Sequence, residues 1–216
     1  MCGVSIRRVF AAALVAAGGF AVLPGAIPTV SAQPCPDIEV IFARGTREPA
    51  GIGQVGQAFV DALQEQIGNR SVAVYGVNYP ASYDFLAAGD GAADASSRVI
   101  SMSQTCPSTR LVLGGYSQGA AVVDMLADVP ILGTNLGTPL PPTVADNVAA
   151  IAVFGNPSTK LGKPVSAASP LFASRAIDLC KDGDPVCSPG RNPFAHSDYV
   201  NAGLPGQAAN FVAGLV

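Results

Sequence analysis

Five residues constrain this chain more than any others: Gly115-Tyr116-Ser117-Gln118-Gly119, set between two segments of different periodicity. Upstream, Arg110 to Gly115 (RLVLGG) reads as a buried strand; downstream, Gln118 to Leu126 (QGAAVVDML) reads as a helix apolar on nearly all sides. A strand that turns at once into a helix, with a glycine two positions before and two after a serine, has the pattern of a nucleophile elbow. The turn leaves no room for side chains at its two ends, so the serine Oγ stands clear at the C-terminal edge of a sheet. It also stands at a helix N-terminus, where unpaired N–H groups and the helix dipole favour a developing negative charge. A strand buried on both faces belongs in a parallel sheet covered by helices above and below.

The rest of the chain repeats this alternation. Strands are expected at Ile38 to Ala43, Ser71 to Val77, Val148 to Phe154 and Ala176 to Leu179, and helices at Gln57 to Ile67, Asp94 to Thr105 and Ala208 to Leu215. Alternating strands and helices predict a three-layer α/β/α fold of the hydrolase type around a central, mainly parallel sheet. The Pro-rich stretches Val129 to Thr143 and Pro157 to Pro170 read as long loops within one domain, and no internal repeat is present.

That domain is expected to begin at residue 33. Arg7 and Arg8 precede an almost uninterrupted apolar run from Val9 to Leu23, and Val30-Ser31-Ala32 offers a cleavage site, which is the layout of a secretory signal over residues 1–32. The run is short of the ~20 residues a bilayer span needs, and no later segment is long and apolar enough, so the mature chain is expected to have no integral membrane span. Cleavage removes Cys2 and leaves four cysteines, of which three pairings exist. The closeness of Cys180 and Cys187 favours a local bridge, leaving Cys35–Cys106 as the long-range one. Four thiolates around zinc would call for C-x-x-C pairs, and there are none.

Charge and histidine content exclude several function classes. The net charge is −3, becoming −5 without Arg7 and Arg8, and no basic run exists to neutralise a row of phosphates, so nucleic acid is not an expected partner. A single histidine rules out a His-rich metal site and any mechanism that needs two imidazoles. That histidine, His196, is then the base available to Ser117, since a serine hydroxyl needs one within hydrogen-bond reach. It follows the elbow in the chain, as the order serine, acid, histidine requires. Between them, Cys180-Lys181-Asp182-Gly183-Asp184-Pro185-Val186-Cys187 offers two carboxylates to orient the imidazole; spacing does not separate Asp182 from Asp184, and Asp178 and Asp198 are weaker rivals.

Three motifs together resemble the cutinase family of secreted serine esterases, with a likeness to its actinobacterial branch, over almost the whole mature chain. Pro107 to Gly119 is similar to the family's nucleophile signature, and Cys180, Asp184 and Cys187 match its C-x-x-x-D-x-V-C segment, which implies Asp184 as the acid. Ala43-Arg44-Gly45-Thr46 resembles its oxyanion loop, implying Thr46 and Gln118 as the N–H donors. The Ser-Pro-Gly-Arg-Asn-Pro-Phe-Ala stretch between Cys187 and His196 departs from the family pattern at one lip of the cleft. The resemblance implies a monomer with no metal or organic cofactor. It also implies a shallow lidless cleft, with Tyr83, Phe85, Leu86 and Phe194 as candidate apolar walls. The implied activity is hydrolysis of short- to medium-chain lipid or polyester esters through an acyl-enzyme. The competing expectations are an acetyl ester hydrolase acting on decorated polysaccharide, or a catalytically silent secreted binding protein.

Overall fold

The computed structural model describes residues 34–131 and 137–216; the expected signal segment, residues 1–32, lies outside the described residues. In chain order the main elements are β1 (Ile38–Ala43), α1 (Gly53–Gln66), β2 (Val72–Gly76), α2 (Ala88–Thr105), β3 (Arg110–Tyr116) and α3 (Gln118–Leu126). There follow α4 (Pro142–Ala145), β4 (Val148–Phe154), α5 (Pro157–Lys160), α6 (Val165–Ala168), β5 (Ala176–Leu179) and α7 (Leu204–Ala213). All strand pairings are parallel, in the order β2-β1-β3-β4-β5. This is the α/β hydrolase-type sheet that the sequence predicts.

Although β1 is apolar almost throughout and fully buried, its residues still alternate between two cores. Val40 and Phe42 join Phe59, Leu63, Phe154 and Val212 beneath α1 and α7, whereas Ile41 and Ala43 join Leu113, Val99 and Val122 beneath α2 and α3. Each fully buried large side chain contributes about 2 kcal/mol relative to exposure. Glu39 interrupts the strand's apolar run, and burying it needs a partner: it is 1% exposed and accepts two N–H donors from the Arg98 guanidinium on α2.

Chain direction decides where a site can form. After β1 the chain crosses to β2 on one side, and β3 then returns to pair with β1 on the other, so β1 and β3 are neighbours whose following loops diverge. Such a switch point opens a crevice at the carboxyl ends of the strands. The Arg44–Thr46 loop leaves β1 there and Ser117 leaves β3 there, with Ala43 paired to Gly115.

Three boundaries differ from the sequence reading. Helix α2 starts six residues before Asp94, because its first turns pack through Ala88, Gly91 and Ala92, small residues that carry little hydrophobic signal. A Cβ at Gly91 would come within 2.9 Å of Val122, so closeness replaces bulk at this contact. Helices α1 and α7 each begin four residues early; Gly56 faces the Phe42 ring, and Pro205 is tolerated in the first turn of α7, where no N–H is needed. The expected loops also contain single helical turns. Pro142 opens α4 and Pro157 opens α5, the latter capped by the Asn156 side chain, which accepts from Ser158 N–H at 2.9 Å.

A buried carboxylate ties α3 to this region. Asp124 is fully buried and accepts from Asn156 Nδ2 at 2.8 Å and Ser158 Oγ at 2.6 Å. Loss of water outweighs both bonds, and the Asp178 charge adds to it, so the Asp124 carboxyl is pushed up to about 7 from 3.8. A folded-state value above the unfolded one means that the fold binds the proton more tightly. The stability this lends is complete below the unfolded value and is lost as pH rises through the folded one. The melting temperature of the wild-type protein is therefore expected to fall by roughly 5 °C relative to Asp124→Asn between pH 4 and pH 8. Parallel curves for the two proteins, recorded by circular dichroism, would contradict this.

Candidate active site

Ser117 occupies the turn between β3 and α3 with φ 57° and ψ −117°, a strained conformation for a residue with a side chain. The flanking glycines make it possible: a Cβ at Gly115 would collide with the Gly119 carbonyl, and one at Gly119 with the Ala43 carbonyl. The turn is pinned by Ser117 N–H donating to Phe154 O at 2.8 Å. The serine side chain does not cap α3. Instead Ser117 Oγ lies 2.8 Å from His196 Nε2.

His196 rides on a short 3₁₀ turn, Pro193–Ser197, whose start is capped by Asn192. Its ring stacks on Tyr116, with centroids 5.1 Å apart and planes at 26°, and the Tyr116 hydroxyl donates to the His196 carbonyl. Across the ring, Gly155 takes φ +59, and a Cβ there would press to 2.9 Å from His196 Cε1. The far nitrogen, Nδ1, lies 2.8 Å from Asp184 Oδ2. These contacts bring Ser117, from the end of β3, into one line with Asp184 and His196, both from the chain that follows β5.

The four carboxylates considered in the sequence have different environments. Asp184 is 0% exposed and sits inside the Cys180–Cys187 bridge, whose Cα atoms are 5.8 Å apart. Asp182 is exposed. Asp178 is occupied by the N–H groups of Val165 and Ser166, and Asp198 faces Lys181 at 3.7 Å. The second bridge joins Cys35 to Cys106, with Cα atoms 5.5 Å apart.

On the other side of Ser117, Thr46 and Gln118 meet: Thr46 Oγ1 donates to Gln118 Oε1 at 3.3 Å. As the first residue of α3, Gln118 has a backbone N–H with no intrahelical acceptor. The loop carrying Thr46 is held by residues the sequence reading did not single out. Arg44 is 7% exposed, and its guanidinium donates to the carbonyls of Glu48 (2.9 Å), Val77 (3.3 Å) and Tyr79 (2.6 Å), while the Tyr79 hydroxyl donates back to Arg44 O. Glu48 accepts from Gly45 N–H at 2.6 Å and Gln54 N–H at 2.9 Å, which ties the loop to α1. Glu48 and Tyr79 have no local sequence signature, and Arg44, though inside the Ala43–Thr46 motif, finds two of its partners more than thirty residues away.

The expected cleft walls flank this centre and are open to solvent. Tyr83, Phe85, Leu86 and Phe194 are 77%, 50%, 76% and 80% exposed. Gln118 Nε2 donates to Ser82 O at 3.0 Å, which holds the first three beside the elbow; Phe194 lies two residues before His196. A depression of about 500 Å³ adjoins Thr46 and is lined by Arg47, Glu48, Gln54 and Gln57; none of the four wall residues borders it. Among the described residues no cluster of His, Cys, Asp or Glu could hold a metal ion.

Three comparisons bear on this arrangement. A sequence model of the family described as Cutinase matches residues 34–216. Phospholipase Culp4 of Mycobacterium tuberculosis is 53% identical over 205 residues, covering 95% of this chain and 89% of that protein. Among solved structures, Trichoderma reesei cutinase in complex with a C11Y4 phosphonate inhibitor aligns with a TM-score of 0.68 and 34% identity over 84% of this chain and 77% of that one. An acetylxylan esterase aligns with a TM-score of 0.73 and 26% identity over 84% of this chain and 99% of that one.

The loop's anchoring generates a prediction. Arg44→Met leaves two buried carbonyls, of Val77 and Tyr79, and the part-buried carbonyl of Glu48 without this donor, and is expected to lower stability by about 3 kcal/mol in urea unfolding. Because Thr46 loses its support, kcat should fall with KM little changed. A variant as stable and active as wild type would remove Arg44 from this role.

Proposed function

The chain belongs to the cutinase family and is a serine carboxylic ester hydrolase; from that premise we propose that it is secreted and cleaves short- to medium-chain lipid or polyester esters through an acyl-enzyme on Ser117. The observation that carries the mechanism is the continuous contact from Ser117 Oγ to His196 Nε2 and from His196 Nδ1 to Asp184 Oδ2, each 2.8 Å. Ser117 Oγ attacks the ester carbonyl carbon while His196 takes its proton. Asp184 accepts Nδ1–H, fixes the tautomer and stabilises the imidazolium that forms. The oxyanion is received by the backbone N–H groups of Thr46 and Gln118, each donor contributing roughly 3 kcal/mol to lowering the barrier. Collapse breaks the ester C–O bond, and His196 returns the proton to the departing alcohol. Water, deprotonated by His196, then releases the acid and restores Ser117.

Secretion is supported by the signal-like residues 1–32 and by the two disulfides, which persist in oxidising compartments. Among the described residues no helix is long and apolar enough to cross a membrane. The apolar rim of Tyr83, Phe85, Leu86 and Phe194 suits an acyl chain, and a 53% identical relative bears the name phospholipase. The second reading is an acetyl ester hydrolase on decorated polysaccharide, favoured by the likeness to acetylxylan esterase. A rate profile over p-nitrophenyl esters from acetyl to palmitoyl separates the two. The proposal expects a maximum between butyryl and octanoyl; a maximum at acetyl, with deacetylation of xylan, would favour the other reading.

Two substitutions test the residues. A fluorophosphonate should label the protein once, at Ser117, and Ser117→Ala should abolish both labelling and hydrolysis; an adduct mapped to another serine would overturn the assignment. Asp184→Asn should lower kcat by about 10³- to 10⁴-fold, while Asp182→Asn, on an exposed side chain, should leave it within about twofold. Equal losses in steady-state assays would place the acid elsewhere.

A further inference from the structure

Asp184 is a buried carboxylate that makes no ion pair with a lysine or arginine among the described residues; the one basic side chain it contacts there is His196. A charge withdrawn from water in this way needs donors. Asp184 has three. Oδ1 accepts from Val186 N–H at 2.8 Å, and Oδ2 accepts from His196 and also from the Tyr199 hydroxyl at 2.6 Å. Val186 belongs to the same loop and His196 to the reacting centre, so Tyr199 is the remaining side chain that reaches the carboxylate from outside both.

Tyr199 is built into its place. It is 0% exposed, its ring lies edge-on to Phe154 and to Tyr116, and it meets the imidazole edge-on at 6.2 Å. Its oxygen accepts from Lys181 N–H at 3.2 Å and lies 3.3 Å from Cys187 Sγ. The hydroxyl thus touches both arms of the small disulfide loop while donating into its centre. Burial, and then the hydrogen bond to Asp184, hold the phenol well above its ordinary range, so the proton stays on Tyr199 and the hydroxyl remains a donor. The ionisable side chains ranged around it are Asp184, His196 and Tyr116.

We propose that Tyr199 is a positioning residue for the ester hydrolysis: its hydroxyl fixes Asp184 Oδ2 on the line to His196 Nδ1 and shares the carboxylate's charge with the imidazole. The inference rests on the assignment of Ser117, His196 and Asp184 made above, and adds a fourth residue that touches neither substrate nor the reacting atoms. With the hydroxyl gone, the carboxylate loses one of its three donors. It is then oriented by Val186 and His196 alone, and its undivided charge holds the imidazolium more tightly. The protonated, inactive imidazole should persist to higher pH.

The test is Tyr199→Phe, which removes one oxygen and keeps the ring. The folded variant, checked by near-ultraviolet circular dichroism, should show kcat lowered about tenfold or more, KM unchanged and the acid limb of the kcat/KM profile moved to higher pH. Site-specific replacement of Tyr199 by 4-aminophenylalanine returns an N–H donor to the same point and should restore part of kcat and part of the profile. Wild-type kcat and profile in Tyr199→Phe would overturn the proposal, as would a lower kcat with an unmoved profile that the amino side chain does not restore. If Tyr199→Phe does not fold, the 4-aminophenylalanine protein decides: a weaker donor should give an intermediate kcat and profile, and values equal to wild type would overturn the role. Loss of activity in Ser117→Ala alongside an unaffected Tyr199→Phe would defeat this inference alone, whereas an active Ser117→Ala would defeat the assignment beneath it.

Discussion

The carbonyl of Ala43, at the end of β1, lies so close under Gly119 that no side chain fits between them. This contact presses the first turn of α3 against the neighbouring strand, and much else follows from it. The chain can pass from β3 into α3 without a loop, which forces Ser117 to a positive φ and sends its side chain outward. The same approach sets the loop after β1 beside the first residue of α3, where Thr46 and Gln118 meet. Strain at Ser117 is thus held by close packing of backbone on backbone, which cannot relax without moving two strands.

The opposite half of the centre is organised by burial. Phe154 closes β4 and accepts from Ser117 N–H, while β5 leads directly into the loop that carries Asp184. A carboxylate in that position costs free energy unless every lone pair facing the interior is met. Val186, His196 and Tyr199 meet it, and Tyr116 stacks on the imidazole from its other face. The imidazole is therefore held by Asp184 at Nδ1, by Tyr116 stacked on its ring and by Tyr199 edge-on to it. Such overdetermination suits a reaction whose rate depends on alignment within fractions of an ångström.

How much of this could be read from residues alone depends on the range of the interaction. Ser117 was legible because its motif obeys local physics, namely a tight turn between segments of recognisable periodicity. His196 was legible because the chain has one imidazole. Asp184 and Asp182 differ by two positions and share a composition, so spacing left them equal; they are separated by burial, a tertiary property, and by the family pattern. The start of helix α2 is not visible in the sequence because its first turns make contact through glycine and alanine, whose closeness leaves no apolar stripe. Arg44, Tyr79 and Tyr199 act across gaps in sequence that no periodicity encodes. Their identities are ordinary for core and loop residues, and only the assembled fold gives them partners.

The central claim is that the acyl group passes through a covalent bond to the enzyme, and partitioning between water and an added alcohol tests it most directly. Butyryl esters of several alcohols of different acidity would be hydrolysed in buffer containing a fixed concentration of methanol, and the ratio of methyl butyrate to butyric acid measured for each. If all substrates converge on one acyl-enzyme at Ser117, the ratio is the same whatever alcohol has departed. A ratio that changes with the leaving group would mean that water attacks the ester itself, and would contradict the account.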